Sequence, residues 1–565
     1  MTSRPNARTG GRILVDALKI HGVDTVFCIP GESYIAAIDA FYDDRDTVRI
    51  IVGRHEGGVG FMAEAYGKLT GKPGVAFVTR GPGACNASIG VHTAMQDSTP
   101  MVMFVGQVAR EAEGREGFQE VDYRSMFRDV AKWVTQVETP DRLPEVVSRA
   151  FHLAMSGRPG PVVVALPEDM LVETSAVADA ARYRVVRPHP GASELQAMRS
   201  ALQAAERPLV IAGGGGWSAE ACADLQVFAE ANHLPVACAF RTLDLIDNTN
   251  PHYVGEAGVG INPKLARRIV DADLILAIGA RLGEATTSGY TLLSVPTPQQ
   301  KLIHVHADPD ELGSVYRPDI AINSGMGQFA AAARLLDPVD SSAWRDWLQA
   351  ARQDCVDWTT PGRYAGKLDM GAAILALRDA LPPETIICTD AGNFAGWASR
   401  FWPFRRYRTQ LGPTNGAMGY GVPAAVAAAA ARPDVPVVCF VGDGGVIMTG
   451  NELATAQQYG LKFLLVIVNN SLYGTIRMYQ ERDYPGRNYL TDLVNPDFVA
   501  WARAFGAHAE RVSETAEFAP ALARARAAPG VAVLELMIDP DQLSPAITAT
   551  GLRAMHAKRQ AEGRR

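Results

Sequence analysis

The apolar residues of this chain come in short, unbroken runs rich in β-branched side chains, and that habit restricts the fold more than any other feature. Val75-Ala76-Phe77-Val78, Pro161 to Leu166, Leu209-Val210-Ile211-Ala212, Leu274 to Ile278, Val437 to Val441 and Phe463 to Val468 show no polar alternation. A strand with one wet face alternates; a strand apolar on both faces belongs inside a parallel sheet covered by helices. The segments between, such as Gly57 to Leu69 and Leu195 to Ala205, have helical spacing. An α/β protein is expected. Two linker-like stretches, Val172 to Ser193 around Arg187-Pro188-His189-Pro190-Gly191 and Asp337 to Gly371 with Thr360-Pro361-Gly362, divide the 565 residues into thirds. Three doubly wound parallel-sheet domains follow, over residues 1–185, 191–340 and 365–548.

Composition removes several classes of function. Apolar residues at 47% and charged residues at 20% suit packed cores and argue against disorder. The formal net charge is −7, and the only basic run is a short tail, Lys558-Arg559 and Arg564-Arg565, so a nucleic-acid partner is not expected. Seven scattered cysteines (Cys28, Cys85, Cys222, Cys238, Cys355, Cys388, Cys439) form no C-x-x-C pair, which disfavours a zinc site or a disulfide framework. Most lie in apolar runs, as small hydrophobes do. Met1 to Gly11 lacks a signal-peptide core, and the Ala-rich stretch Gly421 to Ala431 is too short for a bilayer, so a cytoplasmic protein without membrane partners is expected.

The first and last thirds look like copies. Gly11 to Leu18 leads into the strand Thr25 to Ile29 and then Gly31-Glu32, just as Gly371 to Leu377 leads into Thr385 to Thr389 and then Ala391-Gly392-Asn393. Later in each copy an apolar strand meets a glycine turn, Gly81-Pro82-Gly83 in one and Gly442-Asp443-Gly444 in the other. All doubly wound domains share such a rhythm, but duplication explains the parallel landmarks better.

The richest stretch is Val437 to Gly445 followed by Phe463 to Asn470. It reads as strand, glycine loop, a helix over roughly 450–459, and a second strand. A right-handed crossover puts both strand ends at the carboxyl edge of the sheet, where open α/β folds bind ligands. Gly442, Gly444 and Gly445 allow backbone N–H groups to approach an anion, and the helix start after Thr449 adds a favourable dipole. Asp443, an Asn470 amide oxygen and a backbone carbonyl are hard donors suited to Mg²⁺ bound alongside phosphates. A lone Gly-Asp-Gly is more simply a turn with a capping Asp; paired with Asn469-Asn470, with Asp443 and Asn470 27 residues apart, it is far more specific.

With these residues the chain resembles, over nearly its whole length, the thiamine-diphosphate enzymes. The resemblance implies an N-terminal pyrimidine-binding domain, a central domain and a C-terminal diphosphate-binding domain. It implies that Asp443, Asn470 and the Leu472 carbonyl hold Mg²⁺, and that Gly392, Asn393, Phe394, Gly442, Gly444, Gly445, Tyr473, Gly474 and Thr475 lie around the diphosphate. Arg54-His55-Glu56-Gly57-Gly58 resembles the family's glutamate motif, in which Glu56 would bond the pyrimidine N1′ and run general acid–base catalysis through the cofactor. Alone, Glu56 reads more simply as a helix cap. Gly31, Pro82 and Asn86 would line the pyrimidine, while Gly416 and Met418, in Gly416 to Gly421, match the turn whose bulky apolar residue bends the cofactor.

Gly106-Gln107-Val108 with Phe118-Gln119-Glu120 is similar to the acetolactate-synthase branch, where Phe118 and Gln119 would line the reaction chamber. The resemblance implies a 2-oxo acid donor, decarboxylation, transfer of the acyl anion equivalent to a carbonyl acceptor, and a homodimer or homotetramer with active sites at the subunit interface. A 2-hydroxyacyl-CoA lyase, a 2-oxo-acid decarboxylase and a thiamine-dependent flavin oxidoreductase are the alternatives. A silent regulatory homologue should have lost Glu56 or Asp443. Three departures point to another acceptor. After Gly279-Ala280-Arg281 the branch's second arginine is replaced by Ala285; Glu32 stands for a glycine near the reacting carbon; Thr475 and Tyr479 replace Met and Trp. Neutral carbonyls should then compete well with a second 2-oxo acid, unless Glu32 is protonated or another cation such as Arg477 reaches in. In the middle third, Gly214-x-Gly216-x-x-Ala219 formally fits a dinucleotide loop, but the next strand, Val236 to Ala239, runs toward Arg241 rather than an acidic ribose ligand. FAD or an empty site are equally open there.

Overall fold

A computed structural model of the protein describes residues 6–562. Three six-stranded sheets, every pairing parallel, carry the apolar runs. The first contains Thr25–Cys28, Arg49–Val52, Gly74–Val78, Met101–Gln107, Trp133–Gln136 and Pro161–Pro167. The second contains Pro208–Ala212, Val236–Ala239, Tyr253–Ala257, Leu274–Ile278, Lys301–His306 and Ile320–Asn323. The third contains Ile386–Thr389, Gln410–Leu411, Val437–Gly442, Leu464–Asn469, His508–Val512 and Ala532–Met537. Counted along the chain within each sheet, the first and third share the spatial order 2-1-3-4-6-5. The expected duplication is therefore present in the topology itself. The middle sheet runs 3-2-1-4-5-6, the doubly wound order of dinucleotide-binding folds.

The outer domains share one core. The helix Glu56–Thr70 packs on the helix Gly421–Ala431, whose alanines let the two axes approach closely. The ring of Phe61 meets that of Tyr420 edge-on at 5.5 Å. A short antiparallel ladder, Arg8–Thr9 against Thr174–Ser175, joins the beginning of the first domain to its end.

Three expectations need correction. The stretch from 337 to 371 is not plain linker: it holds the helix Arg345–Thr359, which buries Ala351 and Cys355 against the central domain. The helix expected near 450–459 begins earlier. Asp443–Thr449 is already helical, followed by a tight turn at Gly450–Glu452 and a second helix, Leu453–Gln458. The glycines of 442–445 read as loop formers, whereas close packing, not loop geometry, is what demands them. A Cβ at Gly444 would lie 2.6 Å from the Tyr473 ring, and one at Gly445 would collide with Asp390. Six cysteines are buried and Cys85 is exposed. Among the described residues, no helix is long and apolar enough to cross a membrane.

Candidate active site

At the carboxyl edge of the third sheet, Asp443 is the first residue of its helix, so the helix start and its unpaired N–H groups lie at Asp443 rather than beyond Thr449. Its side chain is buried at 2% exposure, which pushes the carboxyl above the ordinary range, although the Asn495 amide donates to it at 2.7 Å. The two asparagines that end the next strand have different tasks. Asn469 is buried and donates to Glu535 at 2.7 Å, whereas Asn470 sits at the edge with its amide oxygen accepting Leu472 N–H at 3.2 Å. Leu472 bridges to Asp492 through Ser471 C=O and Tyr473 N–H, a pairing that passes over its own carbonyl.

The loop after Ile386–Thr389 closes the same edge. Asn393 N–H donates to Thr475 Oγ1 at 3.1 Å, and Thr475 returns a hydrogen bond to Asn393 Oδ1 at 3.1 Å. The Phe394 ring packs where side chains on Gly392 and Gly442 would otherwise stand. The Gly416–Gly419 turn is drawn in by Thr449 Oγ1, which donates to Gly419 C=O at 2.6 Å, and by Asp390, whose Oδ1 accepts Tyr420 N–H at 2.8 Å. Gly416 has φ +72 and open space where a Cβ would project, and half-buried Met418 stands beside it. Gly392, Asn393, Phe394, Gly416, Met418, Gly442 to Gly445, Asn470 and Leu472 to Thr475 thus gather at one sheet edge.

The first sheet builds a counterpart at its own carboxyl edge. Glu56 opens the helix Glu56–Thr70, but the cap is His55, whose Nδ1 accepts Gly57 N–H at 3.0 Å. Glu56 is released from capping, and Asn86 Nδ2 donates to it at 2.9 Å. Pro82 starts the helix Pro82–Asp97, whose exposed face shows Pro82, Cys85, Asn86 and Ile89. A Cβ at Gly31 would collide with Thr79, and one at Gly81 would lie 2.7 Å from Gln119 C=O. Phe118 projects at 77% exposure, and Gln119 has φ +66 with its buried Oε1 lacking a partner. Gly31, Glu32, Glu56, Pro82, Asn86, Phe118 and Gln119 therefore share this edge.

Two contributors were not foreseen. Glu452, with no exposed surface, reaches across from the third domain. Its carboxylate accepts Arg54 N–H at 3.0 Å, His55 N–H at 3.1 Å and Thr455 O–H at 2.6 Å, fixing the loop that presents Glu56. Burial outweighs these bonds and raises its pKa. No motif announces it, because the groups it holds in the Glu56 loop are backbone amides 397 and 398 residues away. Arg80 is the second: its Nη1 donates to Glu168 at 2.6 Å and its Nη2 stands 4.0 Å from Glu32. Arg477 does not serve as a free cation, since it is bonded to Thr491 at 2.7 Å and Asp492 at 2.6 Å.

The donor set fits Mg²⁺ with a diphosphate: one carboxylate, one amide oxygen, an unclaimed carbonyl and a helix start, all hard or anion-seeking groups. Among the described residues, no cluster of three His, Cys, Asp or Glu forms an alternative metal site. The central domain does not fit the dinucleotide fingerprint. Its loop packs on the first domain, with a Cβ at Gly215 falling 2.5 Å from Ser98 C=O, and Arg241 occupies the place of the ribose acid.

Comparison with known proteins finds three matching regions in the chain. Residues 8–126, 195–333 and 390–536 match the N-terminal thiamine-pyrophosphate-binding, central and C-terminal thiamine-pyrophosphate-binding domains of thiamine pyrophosphate enzymes. The chain is 34% identical over 535 residues to the acetolactate synthase large subunit of Parasynechococcus marenigrum, covering 90% of this chain and 84% of that one. It is 31% identical to the Escherichia coli acetolactate synthase isozyme 2 large subunit, covering 94% and 95%. For the Corynebacterium glutamicum large subunit the figures are 33%, 93% and 86%. The chain belongs to the thiamine-pyrophosphate enzymes, in their acetolactate-synthase-like branch, and is a thiamine-diphosphate- and Mg²⁺-dependent enzyme that makes or breaks carbon–carbon bonds.

Proposed function

We propose that the protein decarboxylates a 2-oxo acid and passes the acyl anion equivalent to a carbonyl acceptor. Asp443, Asn470 and the Leu472 carbonyl hold Mg²⁺ in this reading, and the helix start at Asp443 with Gly392–Phe394 and Tyr473–Thr475 holds the diphosphate. Thiamine diphosphate, when bound, would supply the electron sink that decarboxylation needs. Glu56 exchanges a proton with the pyrimidine nitrogen, and Asn86 fixes its carboxylate; Gly31, Pro82, Gly416 and Met418 shape the ring's seat. Phe118 and Gln119 wall the chamber and exclude water, and Glu32 faces the substrate. The observation that carries the reading is the pair of acidic helix starts, Glu56 and Asp443, at corresponding edges of two sheets with one topology.

The acceptor we favour is a neutral carbonyl such as an aldehyde. Arg80, Arg281 and Arg477 each already face an acidic partner, Glu168, Glu311 and Asp492, so none is left to grip a second carboxylate. We infer a homodimer or homotetramer with the sites between subunits. Ile89, Phe118, Ile447, Met448 and Ile476 are exposed around the two edges, apolar surface that a second copy would cover. No flavin enters this scheme; a yellow chromophore reduced by substrate would instead favour a thiamine-dependent flavin oxidoreductase. The test supplies pyruvate as donor with pyruvate and an aldehyde together as acceptors, following CO₂ release and product mass. Mixed hydroxyketone as the main product supports the reading. Acetolactate as the dominant product refutes the acceptor preference, and no CO₂ from any 2-oxo acid refutes the reaction. Asp443→Ala should fold yet fail to retain thiamine diphosphate in calorimetry; wild-type affinity would refute the metal assignment.

A further inference from the structure

We infer that Arg241 is a positioning residue of the thiamine-diphosphate site, reaching out of the central domain to hold the strand end from which the diphosphate loop departs; the inference rests on the site reading given above. Arg241 follows the strand Val236–Ala239, at the position where a nucleotide-binding domain would place its ribose ligand. Its side chain leaves that cleft altogether. Nη1 donates to Thr389 Oγ1 at 2.7 Å and Nη2 to Asp390 C=O at 3.3 Å, both in the third domain. The backbone is set for this reach: φ is +59, a left-handed conformation uncommon for a residue with a long side chain, and Glu256 Oε1 anchors the Arg241 N–H at 2.8 Å. The receiving surface is shaped to match, because Gly412, after the strand Gln410–Leu411, lies where any Cβ would collide with the guanidinium.

What Arg241 holds is the hub of the cradle. Asp390, fully buried, bonds Tyr420 N–H at 2.8 Å and so fixes the turn that carries Met418. Its second oxygen has no hydrogen-bond partner and lies against Gly445, in the first turn of the helix that starts at Asp443. One residue therefore sets the spacing between the Met418 turn, the Gly392–Phe394 loop and the diphosphate-facing helix start. A guanidinium bonded to both the side chain before Asp390 and its carbonyl restrains that hub from a different domain, which planar, forked Arg does better than Lys.

The test titrates Mg²⁺-thiamine diphosphate into the full-length protein and follows tryptophan fluorescence. Arg241→Met should raise the cofactor Kd at least tenfold, and Arg241→Lys, reaching one acceptor, should recover part of the loss. Thr389→Val should raise Kd less and add nothing in the Arg241→Met background, because both act through one hydrogen bond. Wild-type Kd in Arg241→Met, even with a lowered melting temperature, would reduce Arg241 to a domain-docking contact and overturn the inference, as would full additivity with Thr389→Val. If Arg241→Met does not fold, Thr389→Val alone decides, and an unchanged Kd overturns it. A wild-type protein that takes up no thiamine diphosphate overturns the site reading itself; normal wild-type uptake with unaltered variants overturns only the role of Arg241.

Discussion

Replacing Glu452 should loosen the loop that presents Glu56 without touching any residue that meets substrate. In Glu452→Ala the N–H groups of Arg54 and His55 lose their acceptor, and the Thr455 hydroxyl keeps only the Val52 carbonyl at 3.4 Å. A hydrogen bond to a charged acceptor contributes about 1–3 kcal/mol, so losing the two part-buried amide bonds costs about 2–6 kcal/mol together. Local opening of the loop becomes easier by the same amount, and even the lower figure speeds amide exchange about 30-fold. Glu452→Gln keeps an acceptor oxygen and gives up only the charge assistance, about 1 kcal/mol or roughly fivefold. Hydrogen–deuterium exchange with mass spectrometry on a peptide spanning residues 52–58 reads this directly. The expected order is Ala fastest, Gln intermediate, wild type slowest, with peptides from the central sheet unchanged. Equal protection in all three proteins would show that Glu452 is a core filler and that the Glu56 loop is held by something else.

Glu56→Gln preserves size but cannot exchange a proton with the pyrimidine, so C2 hydrogen–deuterium exchange of bound cofactor, followed by NMR, should slow by orders of magnitude; an unchanged rate would leave Glu56 no catalytic role. If each site is shared between subunits, mixing inactive Glu56→Gln and Asp443→Ala proteins under subunit exchange should restore part of the activity, and a fully active monomer in light scattering would refute the shared site. Acid sensitivity has one traceable source in His304, whose Nε2–H donates to Ala280 C=O at 2.8 Å and whose pKa burial lowers from 6.5 to about 4. Its neutral form stabilises the fold fully above pH 6.5, and that contribution, up to about 3 kcal/mol, is lost as the pH falls through about 4. The melting temperature of wild type should therefore fall more steeply over that window than that of His304→Gln; parallel curves would clear His304.

The parts legible in the sequence were those encoded locally. Unbroken apolar runs such as Leu274 to Ile278 announce buried parallel strands wherever they occur, and Asp443 with Asn470 is legible because a strand–helix–strand unit fixes their separation. The illegible parts join distant positions. Arg54 and Glu452 are linked through backbone amides, which leave no trace in residue type. The charge on Glu32 looked unopposed because Arg80, its neighbour in space, is separated from it by two helices and two strands. The helix at 443–449 was hidden by its glycines, which normally discourage helices; here the crowding of Tyr473 and Asp390 excludes any other residue.

The small ladder between Arg8–Thr9 and Thr174–Ser175 bears on how this protein can be rebuilt. It brings the two ends of the first domain side by side, so the polypeptide enters and leaves that unit through a single doorway. No sheet strand lies between Ser175 and Pro208, and a cut there severs no ladder of the first or second sheet. The first domain is thus a cassette: it could be exchanged for that of a relative, or its old termini joined and new ones opened elsewhere. A graft of this kind would replace the residues around Glu32 and Phe118 as a set, provided the incoming helix matches Glu56–Thr70, which shares its core with Gly421–Ala431 of the third domain.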